Sequence, residues 1–345
     1  MRRLIALFII IGALVAPAWA ALPLGGEFSS MDAIGKWLAN YRARPQPARL
    51  PTAVRALSAL GAFKEPEGAG VYVGFIAGVL GSNPDRAEEL IGRMLSIAPV
   101  DQWVIVRAIA YSGHPDWQRW LRKYADRMPI RKAMIEKYLD GRLQTLDEVA
   151  LEKKGPNLWD RLRDHLQGGG DRKGAIELTF EKSPELLDTL WGYYFATGSE
   201  RPITRIIALL PWANERDSVD KLTMGNMAKY TLASNAARDA SLLAMLKQAR
   251  NTQPKKIASV LNEVIDAAES VETTHLRKDA LAAIEELKRK GPGSKRDWST
   301  WGTIGQGALA LGCIVAATTG HVEFGLPCMI GGAASGAAIS VISSQ

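Results

Sequence analysis

One structural theme appears twice in this chain, and it constrains the fold more than any other feature. Residues 71–95 read VYVGFIAGVLGSNPDRAEELIGRML. An apolar run ends at Gly81, Asn83-Pro84-Asp85 follows, and a second apolar face comes at Ala87, Leu90, Ile91, Met94 and Leu95. The spacing predicts a helix, a stop, a cap and a second helix. The pattern returns over residues 186–210, with Gly198-Ser199 in place of Gly81-Ser82 and Ile203, Ile206, Ile207 and Leu210 behind it.

The remaining periodicity is helical too, and strand signals are few. Ile34, Trp37, Leu38 and Tyr41 share a face over residues 30–42, and Val54, Leu57 and Leu60 share one over 51–60. A proline at the first helical position lacks only an N–H that would have no partner there. Pro99 therefore predicts a helix with Val100, Trp103, Val104 and Ala108 inward, and Pro129 one with Ile130, Met134, Ile135, Tyr138 and Leu139 inward. Between them Trp117, Trp120, Leu121 and Tyr124 form an aromatic stripe. Thr145-Leu146-Asp147-Glu148 has the form of a capping box, and Leu158, Trp159, Leu162 and Leu166 mark another helix.

Gly168-Gly169-Gly170 reads as a flexible joint, after which the pattern restarts. Ser183-Pro184-Glu185 caps a helix carrying Leu187, Leu190, Trp191 and Tyr194. Helices follow over 219–232 and 237–248, then from Pro254 with Ile257, Val260, Leu261, Val264 and Ile265, then through Leu276, Ala280, Ile284 and Leu287. Gly81 maps to Gly198 at an offset of 117, and Pro129 to Pro254 at 125. The expected fold is all-α. Helical hairpins would form a solenoid or superhelical array in two blocks, 21–167 and 168–297. Over roughly residues 50–290 the chain resembles the tetratricopeptide, Sel1 and HEAT class of α-helical repeat proteins in architecture. The tetratricopeptide pattern of Trp, Leu-Gly, Tyr, Ala, Phe, Ala and Pro at fixed places is not met. The resemblance implies a scaffold that binds a protein or peptide, and no binding residues carry over from it.

Met1-Arg2-Arg3, an apolar core over 4–15 and Ala18-Trp19-Ala20 together read as a secretory signal peptide, residues 1–20, cleaved after Ala20. The expectation is a periplasmic or secreted bacterial protein. Loss of Arg2 and Arg3 would lower the net charge from +7 to +5. Part of the excess is concentrated at Lys288, Arg289, Lys290, Lys295 and Arg296. Such a cluster can meet anionic lipid, or it can simply be a solvated helix end favoured by the helix dipole. Nucleic acid is not an expected partner of an exported chain.

From residue 298 the composition changes. Residues 302–345 hold one formal charge, Glu323, and nine glycines. Two weakly apolar arms, 302–319 and 325–342, flank a turn at 320–324, and small residues recur four apart, as at Gly332 and Gly336. This Gly/Ala-rich hairpin resembles the glycine-zipper hairpins of bacterial envelope proteins. Cys313 and Cys328, the chain's only cysteines, lie seven residues before and eight after Gly320. In an antiparallel hairpin they would face each other, and the expectation is a Cys313–Cys328 disulfide, permitted by an oxidising compartment, with two buried thiols as the alternative. The tail either packs on the helical body or associates with a membrane.

Signatures of catalysis are sparse. HExxH, CxxC, a G-x-S-x-G elbow and a phosphate-cradling loop are all absent, and His114, His165, His275 and His321 form no metal pair. His114 beside Asp116 is the best isolated general-base candidate. Glu269-Ser270 matches the Glu-Ser pair of muramidase-like enzymes but lacks their Gly-Leu-Met-Gln segment. No catalytic residue, metal or cofactor is expected. The leading expectation is a non-catalytic exported scaffold binding a protein or peptide in the cell envelope. The alternatives are a membrane-associated protein acting through its C-terminal hairpin, and a cell-wall-active enzyme with an unrecognised site.

Overall fold

The computed structural model describes residues 27–149 and 184–270, together with the isolated helical positions 282 and 289. The expected signal peptide, the helix expected at 156–166, the one expected at 276–287 apart from residue 282, the Gly168–170 joint, the hairpin expected at 298–345 and the expected Cys313–Cys328 pairing lie outside the described residues. So does the basic cluster, apart from Arg289, which is helical and exposed.

Among the described residues there are twelve α-helices and no strand. They are α1 (Met31–Asn40), α2 (Leu50–Ala59), α3 (Gly70–Ser82), α4 (Pro84–Met94), α5 (Trp103–Tyr111), α6 (Trp117–Tyr124) and α7 (Lys132–Leu139). After the undescribed stretch come α8 (Pro184–Thr197), α9 (Glu200–Ile207), α10 (Val219–Ala236), α11 (Ala240–Arg250) and α12 (Lys255–Glu269). Side-chain caps start four of them, each satisfying backbone N–H groups that a helix leaves open. Ser30 accepts from the Ala33 N–H, Ser199 from Arg201, Ser218 from Lys221, and Asp239 from both Ser241 and Leu242.

The fold is organised around α3, which is buried on every side from Gly70 to Leu80. Its largest interface is with α8. The two helices run parallel, since the close approaches ascend together. Gly70 faces Glu185 and Asp188, Gly74 faces Thr189 and Tyr193, and Gly78 faces Tyr193, Ala196 and Thr197. From the other side, Gly192 sits against Val71 and Phe75. A Cβ on Gly74 would fall on the Thr189 carbonyl oxygen, and one on Gly192 would fall on the Val71 carbonyl oxygen. Glycine at these positions lets backbone lie on backbone, the packing that small residues four apart permit.

Around this pair the apolar side chains form one contiguous core. Phe28, Trp37, Tyr41 and Phe75 meet edge to face, with ring centroids 5.0–5.5 Å apart. Such pairs contribute about 0.5–1.5 kcal/mol each beyond their buried area. Farther along, Gly225 of α10 lies against the backbone of Trp212 and Ala213, and α12 packs on α10 and α11.

The predicted helix faces at Ile34/Trp37/Leu38/Tyr41, Leu187/Leu190/Trp191/Tyr194 and Val260/Leu261/Val264/Ile265 are all buried. Two expectations are corrected. Val100 and Ile130, placed on inward faces by their spacing, are 64% and 61% exposed. Both prolines open short 3₁₀ turns, Pro99–Asp101 and Pro129–Arg131, and not α-helices. Three residues per turn shifts the phase of the face relative to 3.6, and the second residue of each turn swings outward. Gly81 also differs from expectation, because α3 runs through it to Ser82. A Cβ there would strike the Ser112 carbonyl, whereas Gly198 ends α8 in the left-handed region at φ 67°.

Candidate functional site

A cleft of about 300 Å³ opens where the segment after α7 meets α8 and α9. Tyr111, Leu146, Leu190, Tyr193 and Pro202 supply its apolar and aromatic surface, and Asp147, Arg201 and Arg205 supply the charge. Each arrives for a local reason. Tyr193 is partly exposed on α8, one turn after Leu190, which lines the same cleft. Arg201, Thr204 and Arg205 lie one helical turn apart on α9, whose other face, Ile203, Ile206 and Ile207, is buried. Leu146 and Asp147 are presented by a turn in which Glu148 reaches back to the Thr145 N–H and hydroxyl, each at 2.8 Å. The Thr145 hydroxyl donates to that carboxylate, so half of the expected reciprocal capping box forms.

The floor of the cleft is fixed by hydrogen bonds. Tyr193 donates its hydroxyl to the Ser112 carbonyl at 3.3 Å. The two terminal nitrogens of Arg205 donate to the carbonyls of Leu146 and Val149, which pins the turn to α9. Burial pushes Arg205 below the usual arginine range, yet a guanidinium stays charged in a protein. Arg201 pairs with Asp147 at 3.0 Å on the rim, and such exposed pairs contribute at most about 1 kcal/mol. Burial raises the Tyr193 and Tyr111 hydroxyls, with the Asp147 charge adding to the first and Tyr138 to the second. Both therefore remain neutral phenols. The arrangement offers apolar and aromatic surface and one charge pair, which suits binding.

Two polar networks flank the cleft. Arg107 of α5 forms a buried ion pair with Glu185 of α8, and its guanidinium lies 5.0 Å from the Trp103 ring centre. Arg42 lies over the Tyr194 ring and pairs with Asp239, while Tyr194 donates to Asp239 at 2.7 Å. Burial raises the Asp239 carboxyl, but hydrogen bonds from Tyr194, the Leu242 N–H and Arg42 outweigh it and hold the group below the usual carboxylate range.

The residues singled out by sequence take structural roles where they are described. His114 stacks on Trp120 with centroids 4.3 Å apart, and its Nδ1 accepts from the Asp116 N–H at 3.0 Å. That ring is committed to holding a turn. Glu269 pairs with Lys247 at 2.5 Å on the surface. Among the described residues no group of three or more His, Cys, Asp or Glu could hold a metal, and no helix is long and apolar enough to cross a membrane. Of the aromatic stripe residues, Trp103, Trp120, Trp191 and Tyr194 are core, and Tyr193 lines the cleft. Asp147, Arg201 and Arg205 were not found by sequence as site residues, because no local pattern links positions so far apart. No protein-family model, curated protein or solved structure matches the chain.

Proposed function

We propose that the protein is a non-catalytic helical binding module of the bacterial cell envelope, and that it holds a short peptide segment of a protein partner in the Tyr111–Tyr193 cleft. The supporting observation is the cleft itself. Its volume of about 300 Å³ is at the small end of ligand sites and suits one large side chain, with Arg201 and Asp147 at the rim to meet backbone or polar neighbours. The envelope location rests on the basic, apolar and small-residue pattern of residues 1–20.

The reading of the helices as a repeating array belongs to the same proposal. Gly198 follows Gly81 by 117 residues, and Gly192 follows Phe75, its neighbour across the α3–α8 interface, by the same distance. Two copies of one unit related by rotation about an axis between them would pair their equivalent helices in this way.

The test is selection from a displayed peptide library followed by calorimetry. The expected ligands carry an aromatic or branched apolar anchor. Thr204→Trp, which fills the mouth from an exposed position, should weaken them at least about tenfold without changing the melting temperature. Equal affinity of the selected peptides for the filled variant would remove the cleft as the site.

A further inference from the structure

Val100 and Ile130 are the large apolar side chains most exposed among the described residues, at 64% and 61%. Each is the second residue of a Pro-led 3₁₀ turn at a corner between helices, Val100 between α4 and α5 and Ile130 between α6 and α7. Arg131 ties the corners together, since its Nη2 donates to the Val100 carbonyl at 2.5 Å. The two apolar tips thus stand on turns that one arginine bridges.

The surroundings are basic. Residues 117–142 carry eight Lys or Arg and three Asp or Glu. Arg119 and Lys123 are matched by Glu88, Lys132 by Asp126, and Arg142 by Asp140. Arg122, Arg127, Arg131 and Lys137 have no carboxylate partner among the described residues. Arg127, Arg131 and Lys132 bracket Ile130 along the chain. The acid adjacent to Val100, Asp101, is buried and turned inward, accepting from the Ser58 hydroxyl at 2.5 Å.

We propose that these two corners dock the protein on an anionic lipid surface, with Val100 and Ile130 entering the acyl boundary, and with Arg127 and Lys132, the latter exchanging its exposed partner Asp126, meeting lipid phosphates. Exposed apolar side chains cost free energy in water, and cations beside them match a negatively charged headgroup layer. A second copy of the chain is a poor occupant, because it would bring like charges face to face. This surface is separate from the cleft and does not depend on what the cleft binds.

The test is co-sedimentation of the full chain with vesicles of phosphatidylglycerol in phosphatidylcholine, compared with vesicles of phosphatidylcholine alone. The wild type should bind the anionic vesicles more tightly, and high salt should weaken that binding. Val100→Ser with Ile130→Ser should weaken it about tenfold or more. Arg127→Gln with Lys132→Gln should weaken it by about the same factor. Melting temperatures should be unchanged in both pairs, because the altered side chains are exposed. Undiminished binding by the Val100/Ile130 pair would overturn the proposal and place any lipid contact elsewhere, for example at residues 288–296. Equal binding of the wild type to both kinds of vesicle, or to neither, would also overturn it. The second of these results would leave the tips as a surface for a protein.

Discussion

Gly74 of α3 lies so close to Thr189 of α8 that a methyl group on the glycine would sit 1.9 Å from the threonine's carbonyl oxygen. The obstacle is backbone, which no rotamer change can move aside. Gly74→Ala should therefore destabilise the protein by about 3 kcal/mol or more, and Gly192→Ala by a similar amount. That corresponds to a melting temperature lower by roughly 6 °C or more for a body of this size. Gly141 serves as the control. It has φ 76° but open space around it, so Gly141→Ala should cost only about 1 kcal/mol. Circular-dichroism melts that failed to separate Gly74→Ala from the wild type would contradict the parallel α3–α8 packing.

The buried pair of Arg107 and Glu185 joins α5 to the start of α8. Arg107→Met or Glu185→Met leaves the partner charge in a dry site and should cost about 3–5 kcal/mol. Replacing both residues with methionine should cost less than the sum of the two single changes. Urea unfolding of the four proteins forms the cycle, and simple additivity would mean that the two groups are not coupled.

Asp239 brings a pH dependence. Its folded pKa lies below the ordinary aspartate value of 3.8, so the ionised group stabilises the fold. The contribution is complete above about pH 5 and is lost as pH falls through the lower, folded value. Asp239→Asn should therefore be less stable than the wild type at neutral pH, and the gap should narrow on acidification. Chemical denaturation at pH 7 and pH 3 measures it. A gap that stayed constant or widened would show that the Arg42–Tyr194–Asp239 contacts do not hold in solution.

Trp191 is fully buried and donates its indole N–H to the Thr231 hydroxyl at 3.0 Å, across from α8 to α10. Thr231→Val keeps the shape but leaves that donor unsatisfied, at a cost of about 1–3 kcal/mol. Thr231→Ser keeps the acceptor and should lie closer to the wild type. The urea midpoints of the two variants should fall in that order.

Most helices were legible in the sequence because they have a clear 3.6-residue stripe, as at Leu187, Leu190, Trp191 and Tyr194, or a strong start such as Asn83-Pro84-Asp85. Val100 and Ile130 were misread for one shared reason. A proline after a loop announces a helical start but does not say whether the first turn is α or 3₁₀, and the faces diverge from the second residue. The glycines at 70, 74, 78 and 192 stand at the right spacing for backbone contact, yet spacing cannot name a partner, and the same spacing recurs near Gly332 and Gly336. The cleft was illegible for a related reason. Asp147 and Arg201 are brought together only by the packing of distant elements, and the capping-box pattern around Asp147 names no distant partner.

The burial of α3 on every side has a consequence for how the chain is made. This helix has no polar face to show to water, and its main partner, α8, begins more than a hundred residues later. Until residue 197 has emerged, the segment from Gly70 to Leu80 has only part of its final cover. Early products of synthesis must hold it in a loose collapsed state or hand it to a chaperone. The closing of α8 onto α3 is then the step at which a collection of helices becomes a single cooperative unit. A protein truncated before that point should be recovered as aggregate.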